Sequence, residues 1–259
     1  MKLQDPRPDD TDPQAWTCPQ DWAGYSDDEH RTWLFLYDRQ VELLAERACP
    51  AFLEGLEALD LRGDGVPDFE DVSSRLHDLT GWTIAPVEGL VPDEVFFGFL
   101  AERRFPAGRF VRPAHSLDYI EAPDVFHDVF GHVPMLTNPA FADFMQAYGR
   151  AGLRAARLGR IEELARLYWF TVEFGLTRTP EGLRLYGAGI ASSAQESVHA
   201  LEAAAPVRIR FTRERARTTD HRADDLQPLY MVIDGLEQLL ELAEGGFGLE
   251  TTPKLERAA

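Results

Sequence analysis

The spacing of apolar residues predicts a chain that is mainly helical. After Asp28, the residues Trp33, Leu36, Tyr37 and Leu44 recur at intervals that place them on one broad face of a helix. The same spacing, together with prolines and capping residues, predicts helices that begin near residues 50, 68, 92, 138, 160 and 192. A last helix is predicted over residues 230–243.

Only two short segments have the pattern of β-strands. Residues 83–87 form a brief apolar run, and residues 176–187 read as a hairpin whose turn lies at residues 180–182. The sequence therefore predicts a mainly α fold with a few short strands. We expect a flexible acidic arm at residues 1–22, which are polar and rich in proline, followed by a single catalytic domain at residues 23–259.

Charge and composition exclude several classes of partner. The formal net charge of −18 repels phosphate backbones and anionic lipid, so neither a nucleic acid nor a membrane is expected to bind. No apolar stretch is long enough to predict a transmembrane helix, and residues 1–10 lack the apolar core of a secretion signal. With only Cys18 and Cys49, reduced thiols in the cytoplasm are the expectation.

The segment of residues 123–134 carries the strongest chemical signal. His127 and His132 stand five residues apart in an apolar setting, and Glu173 lies inside a separate aromatic run at the end of a predicted helix. On an α-helix, residues five apart point about 140° away from each other. The two histidines are thus predicted to converge through a break, for which Gly131 and Pro134 provide a permissive and a terminating residue.

Two imidazoles and one carboxylate allow more than one metal. This ligand set is that of the non-haem iron(II) oxygenases, which keep coordination positions open for oxygen. It also suits a catalytic zinc site, and the spacing alone does not exclude zinc. The plainer alternative is that both histidines only pack or cap.

Three motifs in order resemble the pterin-dependent aromatic amino acid hydroxylases, especially their bacterial members. They occupy residues 123–134, 168–176 and 186–193, and the likeness extends over roughly residues 30 to 235. The resemblance implies the catalytic-domain fold of that family and a monooxygenase that converts L-phenylalanine to L-tyrosine with O2. It also implies Fe(2+) and a tetrahydropterin, either tetrahydrobiopterin or a bacterial analogue, as cofactors.

The resemblance assigns a role to each matching residue. It implies that His127, His132 and Glu173 are the iron ligands. The implied pterin-binding residues are Gly89, Leu90, Phe96, Asp128, Ala165 and Tyr168. The implied substrate-binding residues are Arg112, Tyr119, Pro123, Trp169, Gly189, Ser192 and Glu196.

Within these roles, Phe96 would stack on the pterin, Arg112 would bind the substrate carboxylate, and Ser192 would assist at that end. Glu196 is expected to orient a ligand histidine. The resemblance also implies a monomer without the regulatory domain and tetramerisation helix of animal members. A pterin-recycling dehydratase is the expected partner enzyme.

Other functions stay open at this point. Within the same class, the substrate could be tryptophan, or phenylalanine hydroxylated at the meta position, because apolar pockets discriminate weakly between similar rings. Outside it, the chain could be a non-catalytic metal- or pterin-binding protein, or a zinc hydrolase.

Overall fold

A computed structural model describes residues 11–118, 122–222 and 225–249. Its helices confirm the predicted mainly α architecture, and several begin at the expected caps. Asn138 accepts a hydrogen bond from the backbone N–H of Phe141, with Pro139 at the first helical position. The helices are α1 (Asp27–Leu44), α2 (Pro50–Leu59), α3 (Phe69–Thr80), α4 (Asp93–Ala101), α5 (Pro139–Leu158), α6 (Ile161–Tyr168), α7 (Ala188–Ala191), α8 (Ala194–Glu202), α9 (Arg213–Thr218) and α10 (Glu237–Glu244).

Two small sheets complete the fold. The strands are β1 (Thr83–Val87), β2 (Arg104–Gly108), β3 (Gly175–Thr179), β4 (Gly182–Leu185), β5 (Val207–Arg210) and β6 (Leu229–Ile233). Strands β1 and β2 pair in parallel, and the second sheet has the order β4-β3-β6-β5. Strands β3 and β4 form the predicted hairpin, with Leu176 opposite Leu185.

The predicted helix over residues 230–243 is wrong in its first half. Tyr230 belongs to β6, which pairs with both β3 and β5, and the helix begins only at Glu237. The run Leu229–Ile233 is apolar, ends in two β-branched residues and is almost entirely buried, as a central strand requires.

Part of the predicted N-terminal arm is packed against the domain. Pro13–Trp16 forms a short 3-10 helix in which Pro13 and Trp16 are buried, and Thr17 pairs with Val87 of β1. The indole N–H of Trp22 donates to the backbone oxygen of Val66 at 2.7 Å. Apolar burial by Pro13 and Trp16 thus holds the segment, whereas residues 1–10 lie outside the described part of the chain.

The core lies behind the segment that carries the two histidines. Phe126 and Phe130 are fully buried and stacked, with ring centroids 4.6 Å apart, and Trp33 of α1 packs against Phe126. One face of this segment is therefore fixed in the core. Within the described ranges, the structure contains no helix with the length and apolar content needed to cross a bilayer.

Candidate metal centre and active-site cavity

His127 and His132 converge because they lie on a π-helix, Phe126–His132. In a π-helix the hydrogen bonds join residues five apart, so side chains at that spacing return to nearly the same face. The two Nε2 atoms are 3.3 Å apart. The predicted convergence is confirmed, but the predicted break is wrong, since the helix continues through Gly131.

Gly131 has a different role from the one the sequence predicted. A Cβ atom at this position would lie 2.9 Å from the backbone oxygen of Ala188 in α7, closer than real Cβ contacts come. The glycine thus allows the π-helix and α7 to approach each other, and it does not interrupt the helix.

Glu173 completes a group of three ligands. It lies at the end of a second π-helical turn, Trp169–Glu173, which continues from α6. Its Oε1 atom is 3.1 Å from Nε2 of His132, and its Oε2 atom is 3.8 Å from Nε2 of His127. Ligand atoms bound at about 2.1 Å are about 3.0 Å apart at octahedral angles and about 3.4 Å apart at tetrahedral angles. The separations of 3.3 and 3.1 Å lie within this range and the 3.8 Å separation lies above it, so the three side chains are grouped as candidate ligands of one cation without indicating its geometry.

Ser192 fixes the tautomer of His127. The Ser192 hydroxyl donates to the backbone oxygen of Ala188 at 2.8 Å and lies 3.0 Å from Nδ1 of His127. Because its single hydrogen is used, the hydroxyl accepts the Nδ1–H of the imidazole. The Nε2 lone pair of His127 therefore faces the other two ligands, as metal binding requires.

Burial keeps the imidazole of His127 neutral. It lowers the pKa of His127 to about 4, and the attraction of Glu173 only partly opposes this. Burial would also raise the pKa of Glu173, but the two histidines and a hydrogen bond from Gly189 bring it below its ordinary value. A neutral imidazole and an ionised carboxylate are the forms that bind a divalent cation.

Two of these three side chains, His127 and Glu173, border a cavity of ≈ 810 Å³, and His132 lies directly behind them. Aromatic rings shield them, with Phe105 centred 4.9 Å and Tyr168 6.1 Å from the ring of His132. Most of the predicted binding residues line this cavity, namely Leu90, Phe96, Arg112, Pro123, Ala165, Tyr168, Trp169, Gly189, Ser192 and Glu196.

Two predicted binding residues are placed differently, and a third is not described. Gly89 and Asp128 are not among the residues that line the cavity, and Tyr119 lies outside the described residues. The Oδ2 atom of Asp128 accepts the backbone N–H of Gly108 at 2.7 Å and so joins the π-helix to β2. Burial raises the pKa of Asp128 to about 7.

Arg112 is held by a buried carboxylate that the sequence analysis did not single out. Asp124 is fully buried and accepts N–H groups from Nε and Nη2 of Arg112 at 2.8 and 2.7 Å. It also accepts the backbone N–H of His127 at 3.0 Å. The position of Asp124 at the start of a predicted helix was the one available signal, because such residues often accept backbone N–H groups.

Glu196 does not orient a ligand histidine in the way that was predicted. Its Oε1 atom accepts the hydroxyl of Tyr230 and the backbone N–H of Gln227, the latter at 3.1 Å. Burial raises the pKa of Glu196 above its ordinary value. Ser192 takes the expected role instead, since it lies against Nδ1 of His127.

The side chain of Trp169 contacts residues that the sequence did not predict. Its indole N–H donates to the side-chain oxygen of Gln227 at 3.0 Å. The rings of His221 and Phe174 pack near it, with centroids 4.4 and 4.6 Å away. All four residues line the cavity. No local pattern could predict the contact with His221, which lies more than fifty residues further along the chain.

Sequence comparison places these features in a known family. Residues 19–244 match the profile of the biopterin-dependent aromatic amino acid hydroxylases. The chain belongs to this family.

Individual relatives are similar over most of their length. A phenylalanine-4-hydroxylase from Caulobacter vibrioides is 57% identical over 233 residues, which cover 90% of this chain and 79% of the relative. The structure of Chromobacterium violaceum phenylalanine hydroxylase with bound oxidised Fe(III) is 51% identical in sequence and superimposes with a TM-score of 0.88. The match covers 90% of this chain and 85% of that chain. A second structure of that enzyme, with iron(III) and 7,8-dihydrobiopterin, superimposes with a TM-score of 0.87.

Proposed function

We propose that the protein is a monooxygenase that converts L-phenylalanine to L-tyrosine with O2, iron(II) and a tetrahydropterin. The observation that carries the proposal is the convergence of His127, His132 and Glu173 at an aromatic cavity that also contains Arg112. The similar proteins named phenylalanine-4-hydroxylase support this substrate. The Fe(III) and 7,8-dihydrobiopterin in similar structures support these cofactors.

The metal would be held by Nε2 of each histidine and the carboxylate of Glu173. When bound, iron and the tetrahydropterin supply the oxygen activation and the electrons that an aromatic ring and O2 lack. The chain supplies orientation and the exclusion of water. Ser192 keeps His127 in the binding tautomer, and the surrounding rings limit access of solvent to the ligands.

Arg112 has the free donors that a substrate carboxylate needs. Among the described residues, its hydrogen bonds use three of its five side-chain N–H groups, two toward Asp124 and one toward the backbone oxygen of Leu117. One N–H remains on each terminal nitrogen, a pair that matches the two oxygens of a carboxylate. With that end bound, Trp169 and Pro123 would direct the ring of the amino acid toward the metal.

A second part of the cavity suits a flat heterocycle. Leu90, Phe96, Ala165 and Tyr168 line it, and the rings of Phe96 and Tyr168 meet edge to face with centroids 5.7 Å apart. Such a corner offers a ring face and a ring edge to a bound pterin. We assign the pterin to this part of the cavity and the amino acid to the part beside Arg112.

The proposal extends to the setting in which the enzyme works. We propose that residues 23–259 act as one catalytic domain, as a monomer in the cytoplasm, with a separate dehydratase that recycles the oxidised pterin. The net charge of −18 supports a monomer, since copies of the chain repel one another. Size-exclusion chromatography with light scattering tests it, and a stable dimer would contradict it.

The function is tested by product identification. Iron(II)-loaded protein is given L-phenylalanine, a tetrahydropterin and O2, and the products are separated against the three tyrosine isomers with mass detection. We expect para-tyrosine in step with pterin oxidation. Product from tryptophan alone, or meta-tyrosine, would refute the substrate or the ring position. The absence of pterin oxidation would favour a zinc hydrolase or a binding protein.

A further inference from the structure

Two consecutive residues of α1 hydrogen-bond to two segments that contribute walls to the cavity, residues 112–118 and residues 190–197. We propose that the first of them, Arg39, is a positioning residue for the amino acid: it holds Leu117 and Asp118 against α1 and so sets the direction of the free N–H groups of Arg112. The inference rests on the proposed function, because it requires an amino acid whose carboxylate lies at Arg112.

The contact between the two arginines runs through one carbonyl group. Nη1 of Arg39 donates to Oδ1 of Asp118 at 2.7 Å, and Nη2 donates to the backbone oxygen of Leu117 at 3.1 Å. Nη1 of Arg112 donates to the same oxygen of Leu117 at 3.3 Å. On its other side, Arg112 is fixed by Asp124. The orientation of Arg112 therefore depends on a carbonyl whose position Arg39 controls.

The charges explain why this arrangement is stable. Two guanidinium groups that share one carbonyl repel each other unless each has its own carboxylate. Arg39 has Asp118, and Arg112 has Asp124. The side chain of Arg39 is 25% exposed, and its buried Nε atom has no hydrogen-bond partner among the residues that the structure describes. The two terminal nitrogens thus carry its hydrogen bonds, and both bind the same short segment.

The second residue, Gln40, is hydrogen-bonded to the wall formed by residues 190–197. Its side-chain amide donates to the hydroxyl of Ser197 at 2.8 Å, in the buried interior. That hydroxyl lies 2.8 Å from the backbone oxygen of Ile190 and 2.7 Å from that of Ser193, on either side of Ser192. Neighbouring positions on one rigid helix thus hold the wall that bears Arg112 and the wall that bears Ser192. Loss of Arg39 would release the first wall only.

The effect on kinetics should be selective. A carboxylate is bound by two parallel N–H groups only over a narrow range of orientations, so a displaced Arg112 weakens substrate binding. Among the described residues, the hydrogen bonds of Arg39 go to Leu117 and Asp118, and none joins it to the candidate metal ligands or to the pterin part of the cavity. The KM for the amino acid should therefore rise while the turnover number is retained.

The test compares Arg39→Gln with the wild type and with Arg62→Gln. Arg62 forms an exposed ion pair with Asp38, one position from Arg39 on α1, and is a matched control for the loss of a guanidinium group. We expect Arg39→Gln to raise the KM for L-phenylalanine about three- to tenfold. The kcat and the KM for the pterin should change less than about twofold. Arg62→Gln should behave like the wild type.

Two further variants separate positioning from general loss of structure. Asp118→Asn removes the partner of Arg39 and leaves α1 unchanged, so it should show the same selective rise in KM. Arg39→Lys keeps the charge near Asp118 but lacks the second terminal nitrogen that donates to Leu117. Its KM should lie between those of the wild type and Arg39→Gln.

The outcomes distinguish this inference from the proposed function. A wild type that does not hydroxylate L-phenylalanine overturns both. An active wild type with an unchanged KM in Arg39→Gln overturns the role of Arg39 alone. An equal rise in the KM for the pterin, or a fall in kcat without a change in KM, also overturns it.

Discussion

The ion pair between Arg112 and Asp124 should be essential for both stability and substrate binding. The two side chains are 6% and 0% exposed. Besides two side-chain bonds, Asp124 accepts the backbone N–H groups of Arg112 and His127 at 3.1 and 3.0 Å. The substitution Asp124→Asn preserves the size of the side chain but removes its charge. It also places an NH2 donor against a guanidinium that has only donors.

The magnitude follows from the burial of the pair. Removal of one partner from a buried ion pair costs about 3–5 kcal/mol, because the remaining charge stays desolvated. Since the amide oxygen of asparagine can still accept some of these hydrogen bonds, we expect the free energy of unfolding to fall by about 3 kcal/mol. For a chain of this length, 1 kcal/mol corresponds to a shift in Tm of about 2–4 °C. The predicted fall in Tm is therefore about 6–12 °C.

The assay is thermal unfolding followed by circular dichroism, with Asp38→Asn as the matched control. Asp38 pairs with Arg62 at 2.7 Å on the exposed surface, so the same chemical change there should leave the Tm unaltered. We also expect a raised KM for L-phenylalanine in Asp124→Asn, because Arg112 loses its support. A Tm within about 2 °C of the control would refute the reasoning from burial.

Three further substitutions test the metal centre and its surroundings. Glu173→Gln should lower the affinity for iron(II) more than tenfold by loss of the anionic ligand, measured by metal titration, and unchanged affinity would contradict the ligand assignment. Gly131→Ala should lower the free energy of unfolding by about 1–3 kcal/mol and reduce the metal content, because the added methyl group would displace Ala188. A Tm equal to that of the wild type would show that the π-helix and α7 can separate without loss of stability. Burial raises the pKa of Glu196, so folding favours its protonated form, and stability falls as pH rises above the ordinary value of 4.5 through the folded pKa. Glu196→Gln keeps an acceptor for Tyr230 and should flatten this fall in Tm as pH rises above 4.5, whereas an unchanged pH profile would exclude Glu196 as its cause.

The sequence predicted those features that depend on nearby residues. Asn138 with Pro139 marks the start of α5, and the turn at Pro180 and Glu181 separates β3 from β4, as expected. The sequence singled out the three candidate metal ligands because their residue types have few other reasons to occur together. Strand β6 was mistaken for helix because a short apolar run is compatible with both, and only its neighbours β3 and β5 decide between them.

The contacts behind the site could not be predicted in the same way. The pairs Ser192 with His127 and Trp169 with His221 join residues more than fifty positions apart. A resemblance assigns roles to positions but does not determine which neighbouring polar group makes a given bond. Ser192 rather than Glu196 therefore took the contact with a ligand histidine, while Glu196 is occupied by Tyr230.

Both segments that carry candidate ligands are π-helical, and this geometry explains the five-residue spacing of the two histidines. In an α-helix, histidines at a four-residue interval would share a face without any distortion. The five-residue interval is compatible with convergence only in the wider turn, and Trp169–Glu173 shows the same widening, closed by a bond of 2.8 Å from the N–H of Phe174 to the oxygen of Trp169. Such turns are rare because they pack poorly, so the surroundings must compensate. Here the stacked rings of Phe126 and Phe130 fix the core side, and the close approach of Gly131 to α7 fixes the other. The packing that makes the π-helix stable is therefore the same packing that keeps the ligands in position for a metal.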